Sequence, residues 1–91
     1  MTEKTIHRLP RRTDGADLQR FPQGAVLSPG NASGAVALNP TALALWELCD
    51  GHTTVEEMVA AICTLFAIDS ARARDDIETA LAQMRAVGVI R

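Results

Sequence analysis

The sequence has few aromatic residues: Phe21, Trp46 and Phe66 are the three among 91 residues, and tyrosine is absent. Proteins that bind single-stranded nucleic acids usually stack the bases on several exposed rings, so this composition argues against such a platform. An excess of positive charge is also lacking, because nine basic residues face eleven acidic ones and the formal net charge is −2. A chain with this balance has no general electrostatic attraction for nucleic acid.

Long apolar runs are missing as well. Runs such as 42–46 fall far short of the ~20 residues that a membrane-spanning helix needs, and the polar stretch 1–12 lacks the apolar centre of a secretory signal. We therefore expect a cytoplasmic protein whose two cysteines, Cys49 and Cys63, are reduced thiols. Their spacing along the predicted helices places both on apolar faces, which favours buried thiols over a disulfide.

Side chains suited to catalysis or metal binding are scarce and scattered. Cys49, His52 and Cys63 are capable of binding zinc, with His7 as a fourth ligand, but structural zinc sites usually contain two closely spaced ligand pairs and only one pair is present here. A cysteine nucleophile activated by His52 would need an exposed thiolate, whereas the apolar faces predict burial. The sequence therefore predicts a binding protein that is not an enzyme and that holds no metal or cofactor.

The first part of the chain predicts a tail and a small sheet. Residues 1–17 carry mixed charges and a proline, and we expect them to form a flexible N-terminal tail that precedes a single domain, residues 18–91. Short apolar pieces separated by glycine and proline then predict three antiparallel strands, at 18–21, 25–27 and 34–38. The turn-forming residues 28–33 precede the third strand.

Three helices follow, and their capping residues mark where they begin. Asn39 precedes a proline at the first helical position, Thr54 and Glu57 form a capping box, and Asp69 caps a third helix that Gly88 ends. The second helix has the clearest apolar periodicity, formed by Val55, Met58, Val59, Ile62, Cys63 and Phe66. The predicted fold class is α+β: a three-stranded antiparallel sheet followed by a three-helix bundle, in the order of a winged helix-turn-helix.

That helix order leaves a DNA-binding regulator as an alternative function. Arg72 and Arg74 would lie at the start of the helix that enters the major groove. However, Asp75, Asp76 and Glu78 lie on the same helix, and residues 21–91 contain four basic against eight acidic residues. Phosphates would be repelled by this surface, so we predict that nucleic acid is not a partner. The acidic cluster itself is typical of a solvated helix N-terminus.

One segment of the sequence carries a family resemblance. Leu38–Ala42 is followed by Leu45–Leu48, by Asp50 and Gly51, and by Thr53–Glu57; Asp76 and Ile77 then open the amphipathic part of the last helix. In this order and spacing, the chain resembles the pyrroloquinoline quinone biosynthesis protein D (PqqD) family. The wider family includes recognition elements for the precursors of ribosomally made, modified peptides (RiPPs). The likeness covers residues 18–91 and is most specific over 38–57.

The resemblance implies a binding site for a peptide. In the family, the leader segment of a precursor peptide adds a strand beside the third strand, lies against the third helix, and is presented to a modifying enzyme such as a radical S-adenosylmethionine protein or a leader protease. Mapped onto this chain, the docking edge and the facing helix comprise Gly34, Ala35, Val36, Ala37, Leu38, Ala73, Asp76, Ala80 and Gln83. Asp76 would accept a basic residue of the leader, whereas Ala73 and Ala80 have an alternative place in the core.

The chain also departs from part of the family pattern. It lacks the aromatic-rich second strand and the acidic loop of members from the cofactor pathway, and is more similar to the stand-alone proteins of lasso or other peptide pathways. Trp46 continues the apolar face of the first helix and is interpreted either as a core anchor or as the edge of a peptide groove. A homodimer formed through an exposed strand edge, or through exchange of N-terminal strands, is a third hypothesis.

Overall fold

The computed structural model describes residues 9–30 and 34–91, and it confirms the predicted α+β fold. Three strands come first: β1 (Asp17–Phe21), β2 (Gly24–Ser28) and β3 (Val36–Leu38). Three helices follow: α1 (Pro40–Glu47), α2 (Val55–Phe66) and α3 (Ser70–Val87). The described helices include none that is long and apolar enough to cross a membrane. Predictions that concern residues 1–8, including His7, and the turn at 31–33 lie outside the described residues.

The three strands form one antiparallel sheet in the order β1-β2-β3, so β3 lies at an edge. Leu27 in the central strand pairs with Leu18 on one side and Val36 on the other, whereas Val26 pairs with Ala37. Because successive side chains point to opposite faces, Leu27 faces the helices, and Val26 and Ala37 lie on the outer face. β3 is shorter than predicted, since the strand begins at Val36 rather than at residue 34.

A glycine at the start of β2 permits β3 to lie close to this strand. Gly24 has a φ of 150° and lies so close to β3 that a Cβ atom there would collide with the carbonyl oxygen of Leu38. Only glycine combines this backbone conformation with such a close approach. The close approach of β2 and β3 at this point therefore depends on this residue.

The predicted helix caps are all present. The Asn39 side chain accepts a hydrogen bond from the Ala42 N–H at 2.8 Å. The Thr54 hydroxyl accepts one from the Glu57 N–H at 3.1 Å, and the Glu57 carboxylate accepts one from the Thr54 N–H at 2.8 Å. The Asp69 carboxylate accepts from the Arg72 N–H at 2.9 Å, and α3 ends at a glycine with a left-handed conformation. These caps satisfy amide groups that the helix itself leaves without partners.

The core lies between the inner face of the sheet and the three helices. Its largest fully buried side chains come from every layer of the fold and are Leu27, Leu45, Met58, Ile62, Ile77, Met84, Val89 and Cys49. No charged or polar side chain of the described residues is buried with them. The apolar periodicity predicted for α2 is confirmed at its centre, where Met58, Val59 and Ile62 are buried.

The segment before the first strand is attached to the domain, contrary to the predicted tail. Residues 10–13, here called the N-terminal strap, lie between the loop after α1 and the C-terminal segment. The Arg12 N–H donates to the Cys49 carbonyl at 2.8 Å, the Thr13 N–H to the Val89 carbonyl at 3.0 Å, and the Arg91 N–H to the Arg11 carbonyl at 2.8 Å. The strap therefore belongs to the domain, and the predicted boundary at residue 18 is corrected.

Candidate functional site

A groove of about 400 Å³ lies between the edge strand and the last helix. It is lined by residues from β3, from the start of α1 and from one face of α3, and is here called the α3 groove. These residues are Ala37, Asn39, Thr41, Ala42, Leu45, Arg72, Asp76, Ile77, Thr79, Ala80 and Gln83. Leu45 and Ile77 are core side chains, so the bottom of the groove is apolar and continuous with the core.

Polar side chains also line the groove. Asn39 and Thr41 come from the start of α1, while Arg72, Asp76 and other polar residues of α3 lie on the opposite side. The Arg72 Nε atom is 3.6 Å from the Asp76 Oδ2 atom, and both side chains are substantially exposed. An exposed pair at this helical spacing stabilises a protein by only about 0.3–0.5 kcal/mol. Either charge can therefore exchange its partner for an ionic group of a ligand at little cost.

The backbone of β3 provides a second kind of binding surface. Within the described residues the sheet order gives β3 one neighbour, β2, so its other side has no strand beside it. An edge strand presents backbone N–H and C=O groups that another extended chain can pair with. Because Ala37 is exposed and small, an incoming backbone can approach this edge closely.

The structure brings together four of the nine predicted site residues. Ala37, Asp76, Ala80 and Gln83 all line the α3 groove, which is one of the five predicted strand residues and three of the four predicted helix residues. Ala80 is partly buried and both lines the groove and packs against the core.

The other predicted residues lie elsewhere. Ala73 is fully buried and belongs to the core, the alternative place that the sequence leaves open for it. Leu38 is also buried, and Val36 is half-buried and packs against the core. Gly34 and Ala35 are exposed and precede β3 without lining the groove. None of these four strand-side residues lines the α3 groove.

Sequence reasoning missed polar groove residues, among them Thr41, Arg72 and Thr79. The groove residues Arg72, Asp76, Thr79 and Gln83 recur at helical spacing, and they share Asp76 and Gln83 with the predicted stripe but begin at residue 72 instead of 73. Adjacent residues differ by about 100° around a helix, so residue 72 lines the groove while residue 73 is buried in the core. Arg72 was interpreted instead as a DNA contact, and in the structure it pairs with Asp76 while Arg74 lies 3.4 Å from Glu56.

Trp46 anchors the core rather than bordering the groove. Its indole Nε1 donates a hydrogen bond to the Val89 carbonyl at 3.2 Å, which satisfies the one polar group of the partly buried ring. The Arg12 guanidinium lies 5.6 Å from the centre of that ring on the side of the N-terminal strap. The core interpretation of Trp46 is thus confirmed.

The two cysteines differ in their surroundings, and neither forms a disulfide. Cys49 is fully buried, as predicted, and burial raises the pKa of its thiol to about 11, a shift that the nearby Arg12 and Arg85 charges only partly oppose. A thiol with this pKa stays protonated and is a poor nucleophile at neutral pH. Cys63 is only half-buried.

Within residues 9–30 and 34–91 there is no group of three or more histidine, cysteine and acidic side chains placed to hold a metal ion.

Comparison with a family model decides the assignment. The model described as coenzyme PQQ synthesis protein D (PqqD) matches residues 23–90, which include β2, β3 and all three helices. The chain belongs to the PqqD family. The predicted resemblance is thus confirmed, and it covers both walls of the α3 groove.

Solved structures similar to this PqqD-family chain share its fold. One, described as TbiB1 in complex with the TbiA(beta) leader peptide, has a TM-score of 0.74 at 18% sequence identity, and covers 89% of this chain and 94% of its own. Another is described as lasso peptide synthetase B1 complexed with the leader peptide. It has a TM-score of 0.75 at 16% sequence identity, and the match covers 91% of this chain and 98% of that one. No curated protein matched the sequence.

Proposed function

We propose that this PqqD-family protein binds the leader segment of a ribosomally made precursor peptide and presents it to a modifying enzyme, without catalysing a reaction itself. The leader adds a strand beside β3 and places its side chains in the α3 groove. The observation that carries the proposal is the combination of a strand that has one neighbour among the described residues and a groove with an apolar bottom directly beside it.

The physical chemistry of strand addition supports this function. Backbone hydrogen bonds to an edge strand bind any extended peptide, while pockets for alternate side chains provide selectivity. In the α3 groove the apolar selectivity comes from Ala42, Leu45, Ile77 and Ala80, and the ionic selectivity from Arg72 and Asp76. A leader with an apolar residue directed into the groove and a charged residue near Arg72 and Asp76 would satisfy both.

The similar solved structures support the same ligand class. Both are described as complexes with leader peptides, and both match nearly the whole of this chain in fold. Because one of them is described as a part of lasso peptide synthetase, a lasso-type pathway is our first choice for this chain, and a radical S-adenosylmethionine pathway is the second. We place the complex in the cytoplasm, where precursor peptides are made.

The direct test uses a synthetic leader from a precursor gene that neighbours the gene of this protein. In a ¹⁵N-labelled sample, the leader should shift the amide signals of residues 34–38 and of α3, and leave those of α2 in place. Methylating single backbone nitrogens of the peptide should weaken binding at alternate positions only, because every second N–H of an added strand points to its neighbour. Tight binding with shifts confined to other residues would reject the proposal.

A variant of the protein provides an independent check. Val36→Pro removes one N–H from β3 and bends the edge strand, so we expect affinity for the leader to fall by at least about tenfold. The control is Leu65→Ala, which changes an exposed side chain of α2 that does not line the groove. A proline at this position would be unsuitable because it would break the helix. A folded Val36→Pro protein with unchanged affinity would contradict strand addition.

A further inference from the structure

The outer face of the sheet carries a second cavity next to the edge strand. It has a volume of about 230 Å³ and is here called the Phe21 pocket; its lining residues are Phe21, Gln23, Gly24, Ala25, Val26, Ala37 and Leu38. Phe21 is one of two large apolar side chains exposed to solvent among the described residues, with 52% of its surface accessible. The exposed ring forms part of the cavity lining and adds apolar surface to it.

The local backbone shapes this pocket. Phe21 pairs with Gly24 across the β1–β2 hairpin, so the ring lies opposite a residue that has no side chain. Gly24 cannot be replaced without a collision with the Leu38 carbonyl oxygen, which keeps the space beside the ring open. Val26 and Ala37 are paired neighbours in β2 and β3 and extend the apolar surface from the ring to the free edge of the sheet.

Ala37 is the residue that connects the two cavities, since it lines both the α3 groove and the Phe21 pocket. A strand added beside β3 would lie about 4.8 Å from it, with alternate side chains on opposite faces of the sheet. One set of side chains would then point into the α3 groove. The other set would pass over Ala37 on the outer face, where a long or aromatic side chain reaches Val26 and the ring of Phe21.

We propose that the Phe21 pocket is a second subsite for the same extended peptide, and that it takes an aromatic or large aliphatic side chain. This inference rests on the proposed strand addition at β3. The preferred peptide carries one apolar residue directed into the α3 groove and a second apolar residue an odd number of positions away, on the opposite face of the added strand. The peptide is thus selected on both faces of the sheet.

The test begins with displayed random peptides of about twelve residues, long enough to span an edge strand, selected on the wild-type protein. One selected peptide is synthesised, and its affinity is measured for the wild type and for the Phe21→Ala, Phe21→Leu and Leu65→Ala variants. Phe21→Ala should weaken binding about tenfold, Phe21→Leu should restore most of the loss, and Leu65→Ala should change affinity less than about twofold. Circular dichroism checks that each variant is folded.

A double-mutant cycle then identifies the side chain that enters the pocket. Replacing that apolar residue of the peptide by alanine should weaken binding to the wild type but cause little further loss with Phe21→Ala, because the two changes remove the same contact. Fully additive losses, or a Phe21→Ala protein with wild-type affinity, would overturn the inference.

A further variant, Ala80→Glu, separates this inference from the proposed function, since it fills the α3 groove. Binding lost with Ala80→Glu and unchanged with Phe21→Ala rejects only the second subsite. Binding unchanged with Ala80→Glu rejects the groove itself, and with it the subsite.

Discussion

Cys49 shows how the surroundings of one residue set its chemistry. Its side chain is fully buried, its Sγ atom lies 3.3 Å from the Leu45 carbonyl oxygen, and burial raises the pKa of its thiol to about 11. Its position on the apolar face of a helix predicted this burial. The half-buried state of Cys63 was not predicted, because the sequence pattern of α2 continues past the point where the core ends.

The pKa of Cys49 predicts a loss of stability in alkaline solution. Since the folded protein keeps this proton above the ordinary thiol pKa of 9.0, the native state binds more protons than the unfolded state, and the free energy of unfolding falls as the pH rises. The loss begins near pH 9, is complete near pH 11, and amounts to about 2–3 kcal/mol. Urea titrations at several pH values measure it, and Cys49→Ala should flatten the curve relative to Cys63→Ala.

A second prediction at a single position concerns the end of α2. Ala67 has a φ of 55° and is the non-glycine residue with a left-handed conformation among those described. Ala67→Gly removes the steric cost of this conformation, and we expect an increase in the free energy of unfolding of about 0.5–1 kcal/mol. Ala60→Gly, at an exposed position inside the same helix, should lower it by about 1 kcal/mol. A decrease for both variants would contradict the assigned backbone at residue 67.

The helices could be predicted in detail because their signals are local. The side chains of Asn39, Thr54 and Asp69 each contact an amide group three residues ahead, so a few consecutive letters contain the whole interaction. The edge of the sheet was harder to predict. β3 has three residues with no strong strand former except Val36, and its length depends on pairing with β2, about ten residues earlier in the chain.

The capping box of α2 gives a prediction for a whole element. Thr54→Ala removes the acceptor for the Glu57 N–H, and we expect the free energy of unfolding to fall by about 1 kcal/mol. Thr64→Ala is the matched control, since its hydroxyl only donates to the Ala60 carbonyl inside the same helix. Chemical denaturation of both variants gives the comparison, and an equal loss for the two would argue against the box as the source of stability.

For the whole molecule, the arrangement of segments that are distant in sequence could not be predicted. The N-terminal strap contacts residues about 40 and 80 positions away through backbone groups, which leave no trace in residue type. The orientation of α3 could not be predicted either, because packing alone decides which face of the helix lines the groove. In the structure Ala73 is buried and Thr79 lines the groove. The family resemblance supplied the location of the groove, which composition and periodicity alone would not have given.

Removal of the strap should therefore destabilise the domain as a whole. Deletion of residues 1–13 eliminates five backbone hydrogen bonds to the loop after α1 and to the C-terminal segment, and it uncovers the face of Trp46 beneath Arg12. We expect a lower melting temperature and a red shift of tryptophan emission. Arg12→Ala, which keeps the backbone bonds, should produce a smaller change of the same kind. An unchanged melting temperature after deletion would show that the strap contributes nothing to folding.

Arg11 and Arg91 exchange two backbone hydrogen bonds, of 3.3 and 2.8 Å, so the polypeptide enters and leaves the domain at nearly the same point. None of the residues at this point lines the α3 groove or the Phe21 pocket. The domain can therefore be inserted into a surface loop of another protein, or circularly permuted by a short linker, without a break in its sheet or its helices. Genetic fusion of this kind would carry the α3 groove and the Phe21 pocket intact into another protein.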